Sequence, residues 1–388
     1  MSSATFDFDR APDRRNTLSF KWNTYPPDVI PMWVADMDFY AAPPIREALQ
    51  ARVAHGVFGY DFPTRRHAEI IAAWLQRRFN WAVDPEAIVF LPGVVSGFNL
   101  VLRAFAAVGD AVVMFTPVYP PFLEAPQQQG LQRIAVPLSE REQCPRYTID
   151  FTAFERALTP RARVLLFCHP HNPVGREWTR EELMRLAAIC EQHDLLICSD
   201  EIWGDLTLGD TQHVPLAALD EDIAARTITL MAPSKTFNIP SLGFSFAVVT
   251  NPTLRRRLAQ AAHGTLPHLN TFGLVAAEAA YTRCDDWLDA ARAYLTTNRD
   301  VLMQFVQSEM PGVRACPTEA TYLAWLDFRA ALGAENPHTF FLKHARVALN
   351  DGASFGPGGE GWARLNFGCP RAQLMEALER MRDALRRR

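Results

Sequence analysis

Between about residues 85 and 250, short unbroken apolar runs alternate with stretches of helical periodicity. The runs at 111–115, 133–136, 164–168, 195–198, 227–231 and 244–250 lack the in-and-out alternation of a half-exposed strand. Strands buried on both faces read this way, so the pattern predicts a mostly parallel sheet covered by helices. Between two of the runs, Thr179-Arg-Glu-Glu182 has the spacing of a capping box and opens a helix predicted to reach about His193. Strand and helix in alternation predict a doubly wound α/β domain.

After about residue 285 the pattern changes. Helical stretches at 287–308 and 337–344 enclose a short strand at 322–326, and a Gly-rich loop leads into another at 362–367. The last helix carries Leu374, Leu378, Met381 and Leu385 on one stripe. This predicts a smaller α+β domain at 285–388, beside a large domain at 51–284. Residues 1–50, rich in proline and aromatics, read as an arm with one helix that joins the small domain.

The composition narrows the classes. The 388 residues, 48% hydrophobic and 21% charged, suffice for a large core and two domains. A formal charge of -4 gives no sign of nucleic-acid or membrane-surface binding, and Arg386, Arg387 and Arg388 close an amphipathic helix whose C-terminus they complement. No apolar run approaches the roughly 18 residues of a membrane span, and the N-terminus does not read as a signal peptide. Seven cysteines, dispersed without CxxC and including Cys168 and Cys198 inside apolar runs, read as reduced core residues of a cytoplasmic protein.

The chemistry starts from a bias. The chain has three lysines, Lys21, Lys235 and Lys343, against thirty-six arginines, and Lys235 stands where an apolar run gives way to small polar residues. A desolvated lysine can lose its proton and attack a carbonyl carbon; an arginine cannot. Ligands of open α/β sheets bind beyond the carboxyl ends of the strands. Tyr119, Asn172, Asp200 and Lys235 all follow predicted strands and should face one crevice. The loop 92–97 should present free helix-start amides at Val94 and Val95 to an anion. An amine, a carboxylate, an aromatic plate, an amide and a phosphate cradle together suit pyridoxal phosphate.

Five motifs carry a resemblance: Ile30-Pro-Met-Trp-Val-Ala-Asp-Met-Asp-Phe39, His169-Pro-His-Asn-Pro-Val-Gly-Arg176, Ser199-Asp-Glu-Ile202, Ala232-Pro-Ser-Lys-Thr-Phe-Asn238 and Arg364-Leu-Asn-Phe367. In this order they resemble the fold-type-I pyridoxal phosphate enzymes of the class I/II aminotransferase superfamily, and within it the MalY- and PatB-like cystathionine β-lyase (C–S lyase) branch. The resemblance makes Lys235 the Schiff-base lysine and the base that moves the Cα proton. It makes Asp200 the partner of the pyridine nitrogen, Asn172 a donor to the 3′ oxygen that also neighbours the substrate, and Tyr119 the stacking ring. Val94, Val95 and Ser234 are implied to hold the phosphate, with Tyr60 reaching it from the second subunit of a homodimer. Arg364 is implied to clamp the substrate carboxylate, which backbone groups of Val34 and Ala35 approach. Each residue has a plainer alternative: Asp200 as a helix cap, Asn172 as a turn residue, Tyr119 and Tyr60 as ordinary packing, Arg364 as one surface arginine among many.

The chain also departs from the aminotransferase pattern. Those enzymes usually place serine three residues before the lysine and arginine eight after; here stand Ala232 and Gly243. Trp203 occupies a position where relatives commonly offer tyrosine or histidine to the cofactor oxygen, and an indole N–H donates but does not accept. The resemblance implies β-elimination from an L-cysteine thioether such as cystathionine, giving thiol, ammonia and pyruvate. Transamination at the same site is the alternative, and a non-catalytic regulator on the same fold is a third reading. Gly356-Pro-Gly-Gly-Glu-Gly361 spells GxGxxG, but it opens a predicted strand rather than a helix and so fails as a dinucleotide site. His169, His171 and His193 show no metal-ligand spacing, so no metal is expected.

Overall fold

Continuous apolar runs become the inner strands of a seven-stranded sheet. A computed structural model describes residues 6–140 and 146–388. The strands are β1 (Ile88–Leu91), β2 (Ala111–Thr116), β3 (Gln132–Pro137), β4 (Ala162–Cys168), β5 (Leu196–Asp200), β6 (Thr227–Met231) and β7 (Ser245–Val248), ordered β1-β7-β6-β5-β4-β2-β3. Pairing is parallel from β6 through β3, while β7 runs antiparallel to both β6 and β1. The α/β expectation holds, with one strand reversed.

Alternate side chains of each central strand feed two apolar layers. Val113, Phe115, Leu165, Phe167 and Ile197 pack on one face. Val112, Met114, Val164, Leu166 and Cys198 pack on the other, against Phe98 and Val101 of the helix Val94–Phe105. The helix Arg180–Gln192 opens with the expected reciprocal cap: Glu182 N–H donates to Thr179 Oγ1 at 3.2 Å, and Thr179 N–H donates to Glu182 Oε2 at 2.8 Å.

A second, antiparallel sheet orders Arg314–Ala315, Leu323–Asp327, Trp362–Asn366 and Asn350–Asp351, flanked by the helices Asp285–Glu309, Pro337–His344 and Arg371–Arg386. The N-terminal segment joins this half of the molecule. Ile30–Pro31 pairs in parallel with Val347–Ala348, and Asn366 N–H donates to the Met32 carbonyl at 2.9 Å. Among the described residues no helix is long and apolar enough to cross a membrane. Among the described residues six cysteines are buried, and Cys168, Cys190, Cys198, Cys284 and Cys369 are unbridged; the seventh, Cys144, lies outside the described residues.

One buried polar residue ties the long helix to the end of the second sheet. Asn298 Nδ2 donates to the carbonyls of Phe367 (3.0 Å) and Cys369 (2.8 Å), and its Oδ1 accepts from Arg371 Nε. Replacing it with leucine strands two buried carbonyls, at about 1–3 kcal/mol each. The expected outcome for Asn298→Leu is a loss of roughly 2–5 kcal/mol in urea unfolding at unchanged m-value. A loss below about 1 kcal/mol would refute this account of the joint.

Candidate active site

Parallel strands deliver their carboxyl ends to one edge of the sheet, and the chemistry gathers there. β5 ends on Asp200 and β6 leads into the single-turn helix Pro233–Thr236 that carries Lys235. Beyond β4 comes Asn172, and beyond β2 comes Tyr119. These four, with Val34, Ala35, Val94, Val95, Trp203, Ser234 and Arg364, line one cavity of about 350 Å³. Of the site residues named from the sequence, Tyr60 alone lies outside it, with 90% of its surface exposed.

The three charged side chains of the lining are all perturbed. Burial, followed by the neighbouring Arg364 cation, pushes the Lys235 amine down to about 8. Its Nζ donates to the Ala35 carbonyl at 2.7 Å and lies 5.6 Å from the centre of the Trp203 ring. Burial pushes the Asp200 carboxyl up to about 7, against one stabilising bond from Ile202 N–H at 3.1 Å. Burial also lowers Arg364 to about 10. Its Nη1 donates to Asn172 Oδ1 (3.0 Å), and its Nη2 donates to Trp33 O (3.1 Å) and Asn350 Oδ1 (2.6 Å). Its buried Nε has no partner.

The wall that faces Lys235 belongs to the N-terminal segment. Asn366 Nδ2 donates to the carbonyls of Val34 and Asp36, both at 2.6 Å, and Tyr322 Oη donates to Ala35 O at 3.0 Å. The Ala35 carbonyl is therefore spent on Lys235 and Tyr322, and an approach to a carboxylate falls to backbone N–H groups of this stretch. Neither Asn350 nor Tyr322 stood out in the sequence. Asn350 lies in a two-residue strand and only the fold brings it to the cavity, while Tyr322 acts on the cavity wall through the Ala35 carbonyl.

Pyridoxal phosphate fits these residues. A buried carboxyl with one hydrogen bond lacks the cationic partner that a pyridinium would supply. The helix Val94–Phe105 starts inside the cavity without any side-chain cap, leaving its first amides to an anion. Gly243 also lines the cavity and sits at φ +62°, where a side chain is strained. The arginine that aminotransferases carry at this position would have to adopt that left-handed backbone.

Behind Asp200 lies a polar cluster that the sequence did not reveal. The buried His213 ring bridges Glu177 (Nδ1, 2.9 Å) and Glu201 (Nε2, 2.9 Å), and His169 lies 3.4 Å from Glu177. Glu201 also accepts from Ser199 Oγ (2.8 Å) and Leu216 N–H (3.2 Å). His169, Glu177 and His213 are close enough to one another to hold a metal ion. The two carboxylates already occupy both His213 nitrogens, which suits an imidazolium. Motif spacing gave no hint because the two carboxylates stand 12 and 36 residues from His213.

Over residues 27–381 the sequence matches the family described as aminotransferase class I and II. It is 40% identical over 387 residues to cystathionine β-lyase PatB of Bacillus subtilis, covering 98% of this chain and 100% of that protein. The crystal structure of OvoB superposes with a TM-score of 0.93 at 44% identity, covering 98% of this chain and 99% of that one. Cystalysin from Treponema denticola, which contains pyridoxal 5′-phosphate, superposes with a TM-score of 0.94 at 34% identity over 99% of both chains.

The His213 bridge makes a pH prediction. Burial alone would lower this imidazole, but Glu177 and Glu201 outweigh it and raise it to about 10, above the ordinary 6.5. A raised folded value stabilises fully below the unfolded one and is lost as pH climbs through the folded one. Between about pH 6.5 and 10 the unfolding free energy of the wild type should therefore fall relative to His213→Gln. Parallel pH dependences in urea titrations of the two proteins would overturn the imidazolium assignment. On its full-length match, its fold and the fit of its cavity, the chain belongs to the class I and II aminotransferase family, and its cofactor is pyridoxal phosphate.

Proposed function

We propose that the protein is a carbon–sulfur β-lyase. It splits the Cβ–S bond of an L-cysteine thioether and, with one water, yields thiol, ammonium and pyruvate. Bound pyridoxal phosphate supplies an aldehyde that condenses with amines and a ring that accepts the electron pair released when the Cα proton leaves. The chain's residues supply everything else. Val94 and Val95 amides with Ser234 would hold the phosphate, and Tyr119 would pack on the ring. Trp203 and Asn172 would serve the ring oxygen. Asp200, as a carboxylate, would favour a protonated ring nitrogen.

Arg364 receives the substrate carboxylate through its unpartnered Nε and re-aimed Nη groups, as a guanidinium suits. Lys235, with its amine near 8, takes the proton from Cα and has it available for the departing thiolate. The observation that carries this reading is the convergence of Lys235, Asp200 and Arg364 on one cavity whose wall is the Val34–Ala35 backbone. The absent arginine at Gly243 and the likeness to cystathionine β-lyase PatB favour elimination over transamination.

The same reading divides the chain into an arm (1–50), a cofactor-binding unit (51–284) and a smaller unit (285–388). It makes the working form a homodimer in the cytoplasm. Phe58, Tyr60 and Phe62 expose 57%, 90% and 56% of their surface on one short segment, which a second copy would cover. Unbridged buried cysteines agree with a reducing compartment.

With cofactor bound, cystathionine or S-methyl-L-cysteine should give pyruvate and thiol in equal amounts. Lys235→Ala should lower kcat by roughly a hundred- to ten-thousandfold. No pyruvate from either, with pyridoxamine phosphate accumulating instead, would replace the lyase with an aminotransferase. Sedimentation should give twice the chain mass; an active monomer would refute the assembly.

A further inference from the structure

We infer that the leaving-group side of the cavity is built for an uncharged, aromatic thiol rather than for a second amino-acid end. The inference rests on the lyase reading. The lining carries three charged side chains, Asp200, Lys235 and Arg364, and the reaction commits each of them. Arg364 Nε has no partner among the described residues, and the guanidinium is taken up by one carboxylate. Two cations of the N-terminal segment are already neutralised: Lys21 lies 2.8 Å from Asp38, and Arg14 lies 2.6 Å from Asp36 and 2.7 Å from Asp38. Among the described residues of the chain, the lining offers the distal ammonium and carboxylate of cystathionine no further opposite charge, and burying unpaired charge is costly.

What the wall offers instead is aromatic surface beside the carboxylate clamp. Trp33 lines the cavity and its carbonyl accepts from Arg364 Nη2 at 3.1 Å, so this residue sits beside the group that anchors the substrate carboxylate. Its Nε1 donates to Lys21 O at 3.2 Å, which fixes the ring plane. Phe20 and Tyr25 flank that ring at 4.9 and 5.6 Å between centres, and Phe20 leaves 68% of its own surface open. A half-buried indole between two further rings is a platform for a flat apolar group, since aromatic pairs gain beyond the area they bury. Trp33 is thus a specificity-determining residue, with Phe20 extending its face toward solvent.

The test compares S-benzyl-L-cysteine with cystathionine, both of which release an alkanethiol, so intrinsic leaving-group ability does not decide the outcome. The wild type should favour S-benzyl-L-cysteine in kcat/KM by about tenfold or more. Trp33→Ala should cut that ratio about tenfold, and Trp33→Phe should restore most of it. Phe20→Ala, at an exposed position, should lower the ratio in the same direction and replaces Trp33→Ala if that variant does not fold. In Lys235→Ala, which binds without turnover, calorimetry should rank the two ligands in the same order. Pyruvate formed with cystathionine preferred, or with a ratio unmoved by the Trp33 and Phe20 variants, overturns the inference and leaves the lyase standing. Pyruvate from neither substrate sinks both.

Discussion

The alignment of parallel strand ends is the constraint on which the site depends. β4, β5 and β6 are in register, with Cys168 opposite Asp200 and Asp200 opposite Leu230, so the residues just beyond them emerge side by side. A carboxyl and an amine that stand thirty-five residues apart in sequence thereby share one cavity. That convergence creates the electrostatic problem the cofactor solves. Each group is stripped of water, and each is pushed toward its neutral form: Asp200 upward to about 7 and Lys235 downward to about 8. A ligand that is cationic opposite Asp200 and consumes the amine of Lys235 relieves both strains at once. The apo protein holds that penalty in readiness for the cofactor.

The same cavity joins two parts of the fold. Its floor is the large sheet, while one wall is the N-terminal segment held by Asn366 and Tyr322 of the second sheet region and by Arg364 through Trp33. Arg364 is thus tied through Trp33 to the segment whose Ala35 carbonyl accepts from the Lys235 amine. Behind the floor, the His213 bridge balances the charge of Glu201, the residue next to Asp200. The Glu201 carboxylate is one of the charges that raise Asp200, after burial, and the His213 ring beside it offsets that charge.

Much of this was legible in the sequence, for a physical reason. Strands β2, β4 and β6 are largely buried on both faces, so their apolar runs are continuous, and the residues just beyond each run face the site. Where burial is partial the signal fades. β1 was not foreseen, because two of its four residues are only half-buried. The strand at 195–198 was read too short, since Ser199 and Asp200 are polar yet still pair with Thr229 and Leu230. Nothing in the pattern announced that β7 would run antiparallel, because strand direction is set by connection geometry rather than by residue type. Asn350 and His213 escaped notice because their meaning lies entirely in partners far along the chain.

Trp203 shows how opposing effects settle at one atom. The indole face is the best aromatic surface for a cation, and with Nζ 5.6 Å from its centre it favours the charged amine, as does the Ala35 carbonyl. Such a contact is worth about 0.5–2 kcal/mol. A fall from 10.5 to about 8 corresponds to roughly 3 kcal/mol in the other direction, so burial and the Arg364 cation win. At neutral pH about a tenth of the amine is then unprotonated, against less than a thousandth for an ordinary lysine. A tyrosine or histidine at this position could accept a proton as well as donate one; the indole only donates. Trp203 therefore shapes the cavity and tempers Lys235 without entering proton traffic, in keeping with the proposed role of Lys235 as the base at Cα.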